Sequence, residues 1–269
     1  MVFKIKSCCG TSEAAAVQPE EIKEYVKETY AGRVKDTSEC SCCGATSRQL
    51  DAEVAFAAGY TGDQLEGLPA SAVEHSFGCG NPVALAGIQP GQTVLDIGSG
   101  AGIDVLLAAR KVGPEGRVVG LDMTPEMIET ARRNAAEAGA TNVEFRLRDA
   151  ENMPVESGTV DWIISNCVIN LAPDKAKVFS EAYRVLRPGG RMLISDLVAH
   201  DLPDEIRSSL KGWAFCVSGA LEEDDYLNDI REAGLSEVQV VARMDYDAES
   251  IAAVISEAKS LPDGLIELV

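Results

Sequence analysis

Val94 to Gly102, VLDIGSGAG, constrains the fold of this 269-residue chain more than any other stretch. Val94, Leu95 and Ile97 form a short apolar run, and Gly98, Gly100 and Gly102 follow on alternate positions. Behind them Ile103–Val112 carries apolar residues at helical spacing until Gly113-Pro114 ends it. The pattern predicts a strand, a glycine turn and a helix start. Such a turn lets a ligand approach the backbone closely, because glycine has no Cβ and tolerates positive φ. The dinucleotide fingerprint G-x-G-x-x-G is not met, since the third glycine comes one residue early. Asp96, two residues before the first glycine, also departs from a typical dinucleotide turn.

A second apolar run, Arg117–Leu121, ends in Asp122, where a carboxylate can accept both hydroxyls of a ribose. Taken alone, the glycine turn fits any α/β protein. Asp96-x-Gly-x-Gly-x-Gly102 with a later strand-terminal acid resembles the S-adenosylmethionine-dependent methyltransferases of the Rossmann-like class I. That resemblance implies an α/β fold with a mostly parallel seven-stranded sheet and helices on both faces. It also implies a cofactor set: Asp96, Gly98, Ser99, Gly100 and Gly102 in the turn, then Asp122 with Met123, Asp149 with Ala150, and Asn166. Asp149 is the candidate for the exocyclic amine of the adenine.

The rest of the chain fits this frame. Thr124-Pro125 is a helix start, and that helix runs to Gly139. Val143–Leu147 and Val160–Ser165 read as the third and fourth strands, followed by a helix over Asp174–Leu186. Arg187-Pro188-Gly189-Gly190 is expected to stop that helix, with Met192–Ile194 as the fifth strand. Gly98, Asp122, Asp149 and Asn166 all emerge at the carboxyl edge, where open α/β sheets bind ligands. Before the first strand, Pro19–Ala31 reads as a helix; in this methyltransferase class such a helix helps to cover the cofactor. Beyond Asp196 the expectations are a helix over Asp204–Val217 containing Cys216, a helix over Glu222–Ala233, a strand over Val238–Arg243, a helix over Ala248–Lys259 and a weak strand over Gly264–Val269.

Composition narrows the partners. Forty-three acids against 24 bases give a net charge of −19, which argues against a nucleic-acid substrate. No run approaches the length of a membrane span, and MVFKIKSCCG holds no apolar signal region, so a cytoplasmic protein without membrane attachment is expected. In that compartment the eight cysteines should be mostly reduced, and free to bind a metal or do chemistry.

Three cysteines lie where a substrate could meet a methyl group: Cys79 in a glycine-rich loop, Cys167 directly after the fourth strand, and Cys216 beyond the fifth. Zinc is one reading, but Cys40-x-Cys42-Cys43 is too tight to supply two ligand pairs. Buried, inert cysteine is another. Ser-Phe-Gly-Cys79-Gly-Asn-Pro, the DIGSGAG turn, Ser-Asn-Cys167-Val-Ile-Asn-Leu and Trp-Ala-Phe-Cys216 together resemble the arsenite methyltransferases. The likeness spans roughly residues 20 to 235. It implies that Cys79, Cys167 and Cys216 bind trivalent arsenic, with a further cysteine near the N-terminus drawn from Cys40, Cys42 and Cys43. It also implies S-adenosylmethionine as methyl donor, arsenite and methylarsenite as substrates, and a thiol reductant of glutathione or thioredoxin type. The expected organisation is residues 1–70 as tail, helix and cysteine-rich loop, 71–198 as the cofactor-binding domain, and 199–269 as the arsenic-binding and C-terminal region. Two other readings share part of this evidence: a C- or O-methyltransferase of the quinone or sterol type, and a non-catalytic metalloid-binding protein.

Overall fold

The computed structural model describes residues 17–35, 55–56, 58–246 and 266–268. Its frame is a five-stranded parallel sheet of Thr93–Ile97 (β1), Arg117–Asp122 (β2), Val143–Leu147 (β3), Val160–Asn166 (β4) and Leu186–Ser195 (β5), in the order β3-β2-β1-β4-β5. β1 and β2 are almost wholly buried, as expected of parallel strands covered on both faces. The strand order reverses beside β1, because β2 lies on one side of it and β4 on the other. Ligands bind at such a reversal, beyond the carboxyl ends of the strands. Ile97 pairs with both Leu121 and Ser165, so Gly98, Asp122 and Asn166 leave the sheet at one level.

The sheet has five strands, not the expected seven, among the described residues. Leu197–Ala199 (β6), Met244–Tyr246 (β7) and Ile266–Leu268 (β8) form a separate antiparallel sheet in the order β6-β8-β7. The strand expected over Val238–Arg243 is irregular chain and begins only at Met244. Its alternating pattern is only half-buried there: Val238 packs partly against the core, while Val241 is 59% exposed. The weak strand within Gly264–Val269 is present as β8. The helix expected over Ala248–Lys259 lies outside the described residues.

Pro188-Gly189-Gly190 does not precede β5 but bulges within it: pairing to β4 jumps from Val160–Leu186 to Trp162–Arg191. The N-terminal helix runs from Pro19 to Lys35, longer than expected, and its basic last turn of Arg33 and Lys35 complements the helix dipole. The helix expected over Asp204–Val217 is two short ones, Asp204–Arg207 and Leu210–Ala214.

Three apolar clusters hold these parts together. One packs Ile103–Val112 and Ile128–Ala135 against one face of the sheet. A second packs Val178–Val185 and Tyr226 against the other. The third joins Ile22 and Val26 of the N-terminal helix to Leu171, Leu197–Leu202 and Val217, with Cys167 and Cys216 inside it and Cys79 at its edge.

Candidate active site

A cleft with about 940 Å³ of empty space, partly open to solvent, lies beyond the ends of β1, β2 and β4. The N-terminal helix roofs it with Lys23, Val26 and Tyr30. The floor is the glycine turn. Gly98 and Gly100 hold φ of 74° and 50°, and the N–H groups of Gly98 and Ser99 both donate to the Leu121 carbonyl at 2.7 and 2.9 Å. A Cβ at Gly98 would collide with Val168, so that position is fixed by packing, whereas a Cβ at Gly100 would meet nothing but open cleft. The Ser99 hydroxyl is buried without a hydrogen-bond partner, an orphan donor on the cleft wall. Gly102 is not in the cleft lining. It faces Phe145 and Ala131 at the start of the Ile103–Val112 helix.

Asp122 accepts hydrogen bonds from the Gly100 N–H at 3.0 Å and the Thr124 N–H at 2.8 Å. Burial pushes its carboxyl above the usual range, and those two donors oppose the rise. Met123 and Ala150 line the same cleft. Asp149 stands at the far end, bound by Lys23 at 2.7 Å, and Lys23 also holds Glu151 at 2.6 Å. Sequence reading missed Lys23, because nothing in a surface-like helix pattern marks which lysine folds back over a strand end.

Beneath the glycine turn, Asp96 and Asp104 are both buried. Asp104 accepts from the Tyr60 hydroxyl at 2.8 Å and from Asn166 Nδ2 at 3.2 Å. Burial raises its pKa to about 6 against the pull of these two donors. Burial, and then the charges of Asp104 and Asp122, raise that of Asp96. Asp104 and Tyr60 were not foreseen, although Asp104 is the single acid in the apolar run of its helix. Asn166 lines the cleft, but its side chain is committed elsewhere. It accepts from the Gly80 N–H at 3.1 Å and donates to the Gly80 carbonyl at 2.6 Å. A Cβ at Gly78 would overlap this amide, so the glycine lets the Cys79 loop lie directly on the end of β4. Asn166, expected among the cofactor residues, is thus the bracket of the Cys79 loop.

That bracket brings the cysteines together. Cys79 and Cys167 form a disulfide, with Cα atoms 5.7 Å apart. The expectation of reduced thiols fails for this pair, because the docked loop puts them within bonding reach. Cys216 is a buried free thiol whose Sγ donates to the Cys167 carbonyl at 2.8 Å. It sits not on a helix but just past one. The Cys216 N–H bonds the Trp213 carbonyl and the Val217 N–H bonds the Gly212 carbonyl. This is the helix-ending motif whose left-handed position usually holds glycine, and Cys216 occupies it with φ 64°. Burial and the Asp196 carboxylate push the Cys216 thiol well up, while Arg33 and Lys175 oppose the rise. Cys40, Cys42 and Cys43 lie outside the described residues.

A family model described as a methyltransferase domain matches residues 88–234. The arsenite methyltransferase of Halobacterium salinarum is 44% identical over 250 residues, covering 86% of this chain and 63% of that protein. The human arsenite methyltransferase is 33% identical over 220 residues, covering 77% of this chain and 56% of its own length. Among solved structures, an arsenic(III) S-adenosylmethionine methyltransferase from Chlamydomonas reinhardtii superimposes with a TM-score of 0.66 at 36% identity, over 77% of this chain and 70% of that one. The chain spans between about half and two thirds of the length of the curated relatives it matches.

Proposed function

This chain belongs to the arsenite methyltransferase family, and we propose that it moves a methyl group from S-adenosylmethionine onto trivalent arsenic held by Cys79, Cys167 and Cys216. The observation that carries this reading is the meeting of three cysteines, from three distant parts of the chain, beside the cleft. Soft thiolates select a thiophilic centre, and the surrounding apolar cluster keeps water from it.

The cleft suits the methyl donor. The orphan Ser99 hydroxyl and the open face of Gly100 would take its methionine end, Asp122 its ribose and Asp149 its adenine. When bound, S-adenosylmethionine supplies an electrophilic methyl carbon to the lone pair that arsenic keeps at the apex of its three sulfur bonds. No general base is needed to make such a nucleophile. The chain's task is to converge the thiols and fix their direction, and alignment of this kind contributes roughly 7–11 kcal/mol.

Methyl transfer leaves arsenic formally pentavalent. Two thiolates return it to the trivalent state by giving up two electrons and joining as a disulfide. The Cys79–Cys167 bond is the product such a step would leave, and it supports this pair as the internal electron source. An external thiol of glutathione or thioredoxin type then resets it with two electrons, which suits a cytoplasmic setting. Cys40, Cys42 and Cys43 would relay that exchange. In this reading residues 71–198 bind the cofactor, while 1–70 and 199–269 close the arsenic site.

The decisive experiment incubates the reduced protein with arsenite, S-adenosylmethionine and a thiol, and separates the arsenic species. Methylated arsenicals are expected. Recovery of unchanged arsenite alone would overturn the reading.

A further inference from the structure

Arg33, in the last turn of the N-terminal helix, is surrounded by aromatic rings. Its guanidinium carbon lies 4.7 Å from the centre of the Tyr30 ring, 4.8 Å from that of Phe77 and 4.7 Å from that of Phe215. Tyr30 and Phe77 also meet edge to face, with centroids 5.8 Å apart. These rings come from three separate segments. Tyr30 belongs to the roof helix, Phe77 stands two residues before Cys79, and Phe215 stands immediately before Cys216. A basic residue in a last helical turn needs no explanation beyond the dipole, but three rings gathered on one cation do.

We propose that Arg33 is a positioning residue that clamps the two thiol-bearing loops to the roof helix and so converges Cys79 and Cys216 on Cys167. Asn166 brackets the Cys79 loop from the end of β4, Phe215 and Cys216 lie outside any helix or strand, and the rings on Arg33 tie both segments to the roof helix. A planar guanidinium presents its faces and its edge to rings from different directions at once, which a rounded ammonium does not. The cation also faces Cys216, where with Lys175 it opposes the effects of burial and of the Asp196 carboxylate. The clamp rests on the arsenic-binding reading for its purpose, but not for its geometry.

The test compares the full-length protein with Arg33→Met, which keeps the stem and removes the charge, and Arg33→Lys, which keeps the charge without the plane. The first readout needs no arsenic: the fraction of Cys79–Cys167 disulfide across a series of glutathione redox buffers, by alkylation and peptide mass. Loss of the clamp lowers the effective concentration of one thiol at the other, so Arg33→Met should shift the equilibrium about tenfold or more toward the dithiol, and Arg33→Lys by less. The second readout is arsenite kcat/KM, which should fall in the same order while calorimetric affinity for S-adenosylmethionine stays within about twofold of wild type. An unchanged disulfide equilibrium in Arg33→Met would overturn the clamp. Equal losses in both variants, with cofactor affinity lost as well, would reduce Arg33 to general support of the fold and overturn it too. A wild type that leaves arsenite unmethylated, with the disulfide equilibrium still shifted in Arg33→Met, would sink the enzymatic reading and leave the clamp standing.

Discussion

The Cys216 thiol donates to the Cys167 carbonyl across 2.8 Å, and both residues hold the left-handed backbone, at φ 64° and 57°. Non-glycine residues seldom adopt this conformation, which costs roughly 1–2 kcal/mol. Glycine would relieve that cost at Cys216 while giving up the burial of a thiol, a loss of similar size. Cys216→Gly should therefore unfold in urea with a free energy within about 1 kcal/mol of wild type, yet methylate neither arsenite nor methylarsenite. Turnover surviving in that variant would place the acceptor elsewhere.

The proposed arsenic site gives Cys79 a conditional role. Arsenite offers three bonds to sulfur, whereas methylarsenite has one of its three already taken by carbon. In the proposed arsenic site Cys167 and Cys216 would suffice for the second substrate, and Cys79 on its docked loop would supply the third ligand for the first. Cys79→Ser is expected to lose methylation of arsenite and to keep that of methylarsenite when an external thiol stands in for the Cys79–Cys167 pair as electron source. Side-by-side kinetics decide the matter, because equal losses on the two substrates would remove Cys79 as third ligand.

Asp122 ties the cleft wall to the glycine turn by accepting the Gly100 N–H. Asp122→Ala should weaken S-adenosylmethionine binding by about 1.5–3 kcal/mol, the worth of hydrogen bonds to a charged acceptor. Titration calorimetry reads this directly. An unchanged affinity would exclude the carboxylate from the site.

Tyr60 supports a buried charge. The Asp104 carboxyl is raised by burial to about 6, above its unfolded value near 3.8. A raised carboxyl contributes stability that is complete below the unfolded pKa and lost as pH rises through the folded one. At neutral pH the ionised carboxylate depends on its Tyr60 and Asn166 donors. Tyr60→Phe should cost about 1.5–3 kcal/mol at pH 7.5 and distinctly less at pH 5, where the carboxyl is neutral. Urea unfolding at the two pH values checks the sign, and a deficit that does not change with pH would refute it.

The sequence by itself determined the first four strands of the sheet and its ligand edge. β1, β2 and the glycine turn are local: apolar runs of strand length, a turn that only small residues permit, and acids placed where strands end. That Gly98, Ser99, Gly100, Asp122 and Asp149 line one cleft was legible for that reason, and the quoted cysteine motifs pointed to the thiol chemistry. Only the tertiary structure decided how those cysteines are held. That Cys79 reaches Cys167 depends on Asn166 gripping Gly80 and on Gly78 leaving room for it, contacts between residues more than 80 positions apart. That Cys216 takes a glycine's place at a helix end depends on where the helix stops, which its apolar pattern overran. Lys23, Arg33 and Tyr60 carried no signal, since a lysine, an arginine or a tyrosine reads alike on a solvated face and over a cleft. Periodicity reports which residues turn inward, but the partner met there is set by chain segments that approach only once the fold has closed.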